Sequence, residues 1–441
     1  MSTVVDLLQT LIRNQCVNDG SEASGHEHRS VATLVDFFGV EGNIVEPAPG
    51  RQSLVYRIEG SDPSAPSLAL VPHLDVVPVD PSGWSVDPFA AEIVDGFVYG
   101  RGAVDMLNVT AAMAVAARPY LNGERRPAGD LVFAAVADEE GGGRLGALRL
   151  VEDHWDLVRA DYLLTEVAYP ALTVGEHRSI PVSIGEKGAY WSILKTEGAP
   201  AHGSSPYGTD NALHKLVVAL AGVVEAKQPA DITREWEAFV ANLGLDDESM
   251  RRLTDVDLLD DEIDRIAVDD PSLARYIHAA THLTFSANVL AAGVKTNIVA
   301  DRARAEVDIR GLPGMDRELV DSHLRKAMGA GNEQVDIVPV MDGDATVSPV
   351  GNRLWEAIAD AVEVLDGHRN LAPTLMTVAT DARFWRARGT VGYGVGLFDD
   401  RMSFSEMLAL FHGHDERVST RSVERTTELY EQVLERFYTG G

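Results

Sequence analysis

The stretch LVFAAVADEE, residues 131–140, decides the fold, because seven apolar residues run directly into three carboxylates. A short, continuous apolar run is typical of a strand that is buried on both faces of a parallel sheet. Functional side chains of open α/β sheets collect beyond the carboxyl ends of such strands. Three carboxylates cannot all be buried and ionised there without a cation. The stretch therefore predicts a metal site, with a solvated acidic turn as the alternative.

Two further apolar runs end in the same way. Residues 67–72 lead into His73 and Asp75, and residues 162–165 lead into Glu166. An imidazole that binds a metal usually donates its other N–H group to a carboxylate, and Asp75 is close enough to His73 to serve. We therefore expect these side chains to join the acidic residues of the first stretch at one edge of the sheet.

Two other elements supply further candidate ligands. Asp105 stands at the start of an apolar helix predicted over residues 106–120, where a carboxylate gains from the helix dipole. The motif HGHDE at residues 412–416 adds one or two imidazoles. Each element alone is compatible with a solvated polar loop. Their combination, two histidines with several carboxylates, is the ligand set of a hydrolase that binds two metal ions.

Composition and charge exclude several classes of partner. The chain of 441 residues has 38 basic and 68 acidic residues and a net charge of −30, which argues against nucleic acid and anionic membranes as partners. It has no apolar run of about 18 residues and no secretory signal at its N-terminus, so we expect a cytoplasmic protein. Cys16 is the single cysteine, which excludes an internal disulfide and a multi-cysteine metal cluster.

The order of predicted elements divides the chain into three parts. Strands alternate with helices over residues 1–180 and again over residues 344–441, which predicts an α/β domain with a mostly parallel sheet. Between them, residues 181–343 follow the order β, α, β, β, α, β, which predicts an inserted α+β domain of ferredoxin-like topology. Within this insertion, an acidic stretch at about 228–275 has little periodicity.

The chain resembles the M20 family of metallopeptidases, which includes aminoacylases, acetylornithine deacetylases, succinyl-diaminopimelate desuccinylases and glutamate carboxypeptidases. The resemblance covers nearly the whole chain. The motifs that carry it are HLDVVP at 73–78, GRGAVDM at 100–106, EE at 139–140, Glu166, AHG at 201–203, NIV at 297–299, DIR at 308–310 and HGHDE at 412–416. It implies a zinc-exopeptidase-like catalytic domain, formed by residues 1–180 and 344–441, with residues 181–343 as a lid or dimerisation domain.

The resemblance also implies two divalent metal ions, zinc in the first place, with cobalt or manganese as alternatives. Asp105 would bridge the two ions. His73 and Glu166 would complete one site, and Glu140 and His412 the other. We expect His412 rather than His414 to bind because it matches the family motif.

Catalytic roles follow from the same resemblance. Glu139 would be the general base that activates a water bridging the metals, and Asp75 would orient His73. His202 belongs to the inserted domain and, in dimeric relatives, stabilises the oxyanion in the active site of the partner subunit. The residues that resemble substrate-binding positions are Asn297, Arg310 and Gly396.

The predicted function is hydrolysis of an amide bond next to a free carboxylate, in N-acyl amino acids or short peptides. Two alternatives stay open: a catalytically silent binding protein on the same scaffold, and a strict dipeptidase or carboxypeptidase rather than a deacylase. A phosphoesterase is disfavoured because a chain with a net charge of −30 shows no basic phosphate-binding cluster. The expected partner is a small-molecule substrate. A homodimer through the inserted domain is one interpretation, and a monomer in which the acidic stretch at about 228–275 extends the lid is the alternative.

Overall fold

The computed structural model describes residues 3–439, so the outermost positions of the predicted catalytic parts, 1–2 and 440–441, lie outside the described residues. Its helices are α1 (Thr3–Arg13), α2 (His28–Phe38), α3 (Leu107–Leu121), α4 (Ala147–Asp153), α5 (Trp155–Val158), α6 (Ala212–Glu225), α7 (Arg234–Ala241), α8 (Asp247–Thr254), α9 (Leu259–Asp269), α10 (Pro271–Thr281), α11 (Arg317–Met328), α12 (Arg353–Asp366), α13 (Ala382–Arg386), α14 (Phe404–Leu410) and α15 (Thr420–Thr439). Its strands are β1 (Asn43–Ala48), β2 (Arg51–Ile58), β3 (Leu68–Leu70), β4 (Ile93–Val94), β5 (Phe97–Tyr99), β6 (Leu131–Ala135), β7 (Tyr162–Thr165), β8 (Leu172–Val174), β9 (His177–Glu186), β10 (Gly188–Ala189), β11 (Ser192–Glu197), β12 (Thr284–Ala292), β13 (Arg302–Gly311), β14 (Asp336–Pro339), β15 (Thr346–Val347), β16 (Leu371–Met376), β17 (Val391–Gly394) and β18 (Arg417–Ser419).

A large sheet of ten strands carries the elements predicted for the catalytic domain. Its centre is parallel: β3 lies between β6 and β7, and β17 continues the sheet beside β7. Antiparallel β1 and β2 extend one edge, while β9 pairs in parallel with β16 and antiparallel with β15 near the other. The predicted α/β fold with a mostly parallel central sheet is confirmed.

The continuous apolar run of β6 is explained by cores on both faces of the large sheet. Leu131, Phe133 and Ala135 belong to the core that includes α3, whereas Val132 and Ala134 belong to the core that includes α4. Successive side chains of a strand point to opposite faces, so a strand covered on both sides needs apolar residues throughout. The run therefore ends, and the carboxylates begin, where the strand leaves the covered part of the sheet.

A small sheet is formed by β10 to β14. Its main elements follow the order β11, α6, β12, β13, α11, β14, and they pair antiparallel with β13 between β12 and β11 and with β14 beside β11. This order and arrangement are those of a ferredoxin-like unit, as predicted from the sequence. Its own apolar core lies between the sheet and helices α6 and α11.

The acidic stretch at about 228–275, which has little periodicity in the sequence, forms helices α7 to α10. Each is only 8 to 11 residues long. Trp236 and Tyr276 pack in the core of the large sheet and not in that of the small sheet. The N-caps that begin three of these helices are Thr233, Asp246 and Asp270.

The chain consequently passes four times between the cores of the large and small sheets, because α7 to α10 interrupt the small-sheet elements and pack on the large core. Strand β9 of the large sheet also extends across the predicted boundary between residues 180 and 181. The division into 1–180, 181–343 and 344–441 stays a prediction. The connecting segments lie at 187, 226–233, 282–283 and 340–345.

Within residues 3–439, no helix combines the length and the apolar character that crossing a membrane requires.

Candidate metal centre and active site

Three neighbouring parallel strands bring the predicted ligands to one edge of the large sheet. His73 follows β3, Glu139 and Glu140 follow β6, and Glu166 follows β7 directly. Because these strands are adjacent in the order β6, β3, β7 and run parallel, their carboxyl ends lie side by side. Residues far apart in the chain therefore meet at this edge, as the sequence predicts.

Asp105 stands between two imidazoles. Its Oδ1 atom lies 3.3 Å from Nε2 of His73, and its Oδ2 atom lies 3.4 Å from Nε2 of His412. Nε2 of His73 is also 3.6 Å from Oε2 of Glu166, and Nε2 of His412 is 3.2 Å from Oε2 of Glu140. Each imidazole thus faces one oxygen of Asp105 and one further carboxylate, which is the arrangement that a bridging carboxylate between two cations requires.

Unpaired carboxylate oxygens in the cluster are a second observation that favours metal binding. Within residues 3–439, the buried Oε1 atoms of Glu140 and Glu166 have no hydrogen-bond partner. A buried carboxylate oxygen without a donor is costly unless a cation compensates it. Ligand atoms of His73, Asp105 and Glu140 lie within 4.8 Å of one another, as do those of His73, Glu139 and Glu166. Acidic residues and histidines therefore form a cluster suited to metal binding.

The electrostatics of the cluster agree with this assignment. Burial raises the pKa of Glu140 to about 7. Burial, with the neighbouring charge of Glu166 in second place, raises the pKa of Glu139 well above its ordinary value. The hydrogen bond to Asp105 raises the pKa of His412 to about 10. So much negative charge at one place favours bound protons or bound cations.

His73 is held by the backbone of Asp75. Nδ1 of its ring lies 3.0 Å from the backbone carbonyl oxygen of Asp75 and 3.7 Å from the nearer carboxylate oxygen. A carbonyl oxygen can only accept, so Nδ1 carries the proton and Nε2 is left with the lone pair that a metal needs. The backbone carbonyl of Asp75, and not the carboxylate expected from the sequence, makes this contact, and the role of Asp75 in orienting His73 stays a prediction.

Glu416 fixes the loop that carries Asp105. Its buried carboxylate accepts the backbone N–H groups of Gly102 at 3.1 Å, Val104 at 2.7 Å and Asp105 at 3.0 Å. It also accepts a hydrogen bond of 2.7 Å from Nη1 of Arg101. The carboxylate thus sets the backbone position of the residue that stands between the two imidazoles.

The structure distinguishes the two histidines of the HGHDE motif. His412 has a φ of 57°, in the left-handed region, and its ring faces Asp105 and Glu140. The ring of His414 lies against Gly83, where an added Cβ atom would come within 2.4 Å of it. His412 is therefore the member of the pair that lies at the cluster, as the family motif implies.

A cavity of about 550 Å³ opens between the ligand cluster and the small sheet. On the small-sheet side, the guanidinium of Arg310 lies 5.5 Å from the centre of the Trp191 ring and donates from Nε to Asp308 at 2.7 Å. On the large-sheet side, an apolar wall lines the cavity beside the ligand cluster and Arg383. The residues of this apolar wall are Val167, Tyr169, Met376, Leu408 and Phe411.

Five predicted site residues lie outside the lining of this cavity: the buried His73 and Asp75, and also His202, Asn297 and Gly396. His202 and Asn297 are exposed neighbours on the small-sheet side, joined where the N–H group of Gly203 donates to the carbonyl of Asn297 at 2.8 Å. Gly396 is buried against Ala168, where an added Cβ atom would come within 2.5 Å of the Ala168 side chain. Of the three predicted substrate-binding residues, Arg310 alone lines the cavity, and the roles of the others stay predictions.

Asp381 is a residue of the site that the sequence analysis did not assign. Both of its carboxylate oxygens are buried without a hydrogen-bond partner in the described part of the chain, and burial raises its pKa to about 8. Arg383, two residues later, lines the cavity and donates to the backbone carbonyls of Thr380 and Gly142. The only signal for Asp381 in the sequence was a Thr-Asp pair without an apolar strand directly before it.

Residues 69–436 match the model of a family described as Peptidase family M20/M25/M40. The chain belongs to this family of metallo-hydrolases.

Two relatives and one solved structure illustrate the range of the family. Aminoacylase-1 of Homo sapiens is 27% identical over 397 residues, which cover 88% of this chain and 84% of the relative. Succinyl-diaminopimelate desuccinylase of Rhodospirillum centenum is 27% identical over 443 residues, which cover 99% and 97%. An M20 family metallo-carboxypeptidase from Sulfolobus solfataricus superposes with a TM-score of 0.75 at 16% identity over 99% of each chain, a likeness that shows the fold.

Proposed function

We propose that the protein hydrolyses an amide bond next to a free carboxylate, in N-acyl amino acids or short peptides, with two divalent metal ions. The observation that carries the proposal is the position of Asp105 between two imidazoles. Its Oδ1 atom lies 3.3 Å from Nε2 of His73, and its Oδ2 atom lies 3.4 Å from Nε2 of His412. Asp105, His73 and Glu166 would hold one ion, and Asp105, Glu140 and His412 the other. Imidazole and carboxylate ligands without thiolate suit zinc, with cobalt or manganese as alternatives.

When bound, the two ions would lower the pKa of a water molecule and polarise the scissile carbonyl. Glu139 is the general base: it accepts the proton of the attacking water and passes it to the leaving amine nitrogen. Its carboxylate lies with His73 and Glu166 in one group of atoms within 4.8 Å. Burial raises the pKa of Glu139 well above its ordinary value, which makes the carboxylate a stronger base.

Arg310 binds the free carboxylate of the substrate. Asp308 accepts from Nε at 2.7 Å and more weakly from Nη2 at 3.4 Å, which fixes the guanidinium without using Nη1. The planar, permanently charged group is suited to a carboxylate. It projects into the cavity beside Trp191, across from the ligand cluster.

The apolar wall favours an uncharged group on the other part of the substrate. Tyr169 donates to the sulfur of Met376 at 3.4 Å, and its ring centre lies 6.0 Å from that of Phe411. Val167 and Phe411 each adjoin a proposed ligand, Glu166 and His412, so this surface begins beside the metals. A charged acyl group there would lose its hydration without gaining a partner from the wall. The wall therefore favours apolar N-acyl groups, whereas a succinyl carboxylate would need Arg383, the other cation besides Arg310 that lines the cavity.

A second copy of the chain supplies His202. This histidine is exposed and does not line the cavity of its own chain. Strand β12 pairs only with β13 within the described residues and is exposed from Ser286 to Ala292, with Val289 and Leu290 about half exposed. An unpaired edge of this kind can pair with its counterpart in another chain. We therefore propose a homodimer through the small sheet, in which His202 donates to the oxyanion across the interface.

The activity is tested with a panel of N-acetyl and N-succinyl amino acids and dipeptides, assayed after loading with zinc, cobalt or manganese. Glu139→Gln should lose at least about a thousandfold in kcat while keeping two metal ions. Glu237→Gln, on the exposed face of α7, is the matched control and should keep wild-type activity. Wild-type turnover by Glu139→Gln, or full affinity for a panel member without turnover, would contradict the proposal; the latter would favour a silent binding protein.

The homodimer is tested separately by mixing two inactive variants. His202→Ala keeps Glu139 and Glu139→Gln keeps His202, so a mixed dimer contains one complete site only if His202 acts across the interface. Recovered activity on mixing supports the dimer. A monomeric mass in solution, or no recovery although mixed dimers form, contradicts it.

A further inference from the structure

We infer that Asn18 is a positioning residue that holds the base-bearing turn, residues 139–140, through the carboxylate of Asp75. The inference rests on the proposed role of Glu139 as general base. It concerns a segment near the N-terminus, after α1, that contributes no ligand to the proposed metal site.

Asn18 ties the ends of two neighbouring strands together. Its side chain is buried, and its Nδ2 group donates to Oδ2 of Asp75 at 2.8 Å and to Oδ1 of Asp138 at 3.2 Å. Its own N–H group donates to the carbonyl of Val76 at 2.8 Å, which anchors the segment beside the loop after β3. A single neutral amide therefore donates to both carboxylates and connects them.

Asp75 transmits this contact to the catalytic turn. Its Oδ1 atom accepts the backbone N–H of Glu139 at 3.2 Å, and its Oδ2 atom accepts the backbone N–H of Glu140 at 3.1 Å. The Oδ2 atom is the one that Asn18 also contacts. Two contacts thus join Asn18 to the backbone of the general base.

Asp138 gives a second connection to the same turn. It directly precedes Glu139 and has a φ of 68°, a conformation that its side-chain contacts must hold in place. Oδ1 of Asp138 accepts from Nη2 of the fully buried Arg51 at 2.9 Å as well as from Asn18, and Oδ2 accepts the N–H of Leu145 at 2.8 Å. Asn18 therefore contacts both carboxylates that fix the turn.

These contacts act on the base-bearing turn and not on the imidazoles or Asp105. Of the proposed ligands, only Glu140 shares the turn, and its ion would also be held by His412 and Asp105. The ring of His73 is held by the backbone carbonyl of Asp75, which no side-chain change at Asn18 removes. Asp105 is held by Glu416, on the other side of the site. Loss of the Asn18 amide should consequently displace Glu139 more than the imidazoles, and it should lower kcat while KM and metal content stay close to wild type.

The experiment compares Asn18→Ala and Asn18→Asp with Asn14→Ala in the full-length, metal-loaded protein. Asn14 lies in the same segment, but its Nδ2 group donates to Ser30 at 3.2 Å and Thr33 at 3.0 Å and not to Asp75. We expect Asn18→Ala to lose about 10- to 100-fold in kcat, since misplacing a catalytic group by about 1 Å can cost a hundredfold. Asn18→Asp should lose more, because a third carboxylate replaces the donor.

Each variant is measured for kcat, KM, metal content and thermal unfolding midpoint. Lower kcat with unchanged KM and two bound metals supports the inference. Unchanged kcat overturns it, as does a loss of activity that merely follows lost metal or lost folded protein. If Asn18→Ala does not fold, Asn18→Ser, whose hydroxyl can donate to one carboxylate at a time, is measured against the same criteria.

The same assay distinguishes the two proposals. If Glu139→Gln keeps its activity, the proposed function fails and the positioning role fails with it. If Glu139→Gln is inactive and Asn18→Ala has wild-type kcat, only the role of Asn18 is wrong.

Discussion

Nδ1 of His73 lies 3.0 Å from the backbone carbonyl of Asp75 but 3.7 Å from its carboxylate. One residue thereby serves two parts of the site. Its carbonyl sets the tautomer of the imidazole, and its carboxylate accepts the backbone N–H groups of Glu139 and Glu140. The two parts can be separated by mutation, because a side-chain substitution leaves the carbonyl in place.

Asp75→Asn should therefore reduce kcat more than metal affinity. The asparagine amide offers one acceptor oxygen where Glu139, Glu140 and Asn18 supply three donors, so the base-bearing turn loses part of its support. We expect a loss of about tenfold or more in kcat with two metal ions still bound. Turnover and metal stoichiometry of the same preparation measure this. The opposite pattern, metal affinity reduced about 10- to 100-fold with full activity of the loaded protein, would assign the carboxylate to His73 instead.

His412→Ala should weaken one metal site and spare the other. His412 faces Glu140 and Oδ2 of Asp105, whereas His73 faces Oδ1, so the two halves of the cluster share only Asp105. After desalting, the variant should keep about one equivalent of metal where the wild type keeps two. Elemental analysis gives the count. His414→Ala is the matched control and should keep both ions, because the ring of His414 lies against Gly83.

Glu416→Gln should destabilise the fold and weaken metal binding together. The NH2 group of the glutamine would replace one carboxylate oxygen and would face backbone N–H donors. The buried Arg101 would also lose the charged partner with which it forms an ion pair at 2.7 Å. Breaking a buried ion pair costs about 3–5 kcal/mol in unfolding free energy. Chemical denaturation and metal titration measure both effects. Glu424→Gln removes a contact with Arg421 that is half exposed and should stay within about 0.5 kcal/mol of wild type.

Lys187, which is not a proposed metal ligand, makes the free energy of unfolding depend on pH. Burial lowers the pKa of Lys187 to about 7, while its Nζ group donates to the carbonyls of Ala279 at 2.8 Å and His282 at 2.6 Å. Between this pKa and the ordinary value near 10.4, the unfolded chain binds the extra proton, so stability rises with pH.

The unfolding free energy of the wild type, minus that of Lys187→Met, should thus increase by about 1.4 kcal/mol per pH unit between about pH 8 and pH 9.5. Denaturation curves at several pH values provide the measurement. Lys195→Met, at an exposed position of β11, should show no such slope. An equal slope for both variants would mean that Lys187 titrates near its ordinary value.

The strands and most ligands could be predicted because they follow from local pattern and sheet geometry. Residues 131–135 and 162–165 are strands, as the apolar runs indicate. Once β6, β3 and β7 are neighbours and parallel, His73, Glu140 and Glu166 must meet at one edge. Asp105 and His412 came from motifs, since no periodicity fixes where those loops lie.

The remaining features depend on contacts between distant segments. Helices α7 to α10 are short, and their buried apolar residues, such as Trp236 and Tyr276, join the core of the large sheet and not that of the small sheet. Asn18, Asp381 and Glu416 are polar residues in loops, whose roles depend on buried partners that no local pattern reveals. The return of the chain to the large core within residues 181–343 is likewise a contact between distant segments.

The four passages of the chain between the two cores have a mechanical consequence for catalysis. A domain attached by two adjacent linkers can rotate about a single hinge. Here, any rotation of the small sheet must bend four backbone segments at once. Helices α7 to α10 lie between the second and third of these segments and are anchored to the large core by residues such as Trp236 and Tyr276. The rate of substrate entry and product release would accordingly respond to packing at these residues, which contribute no side chain to the cavity.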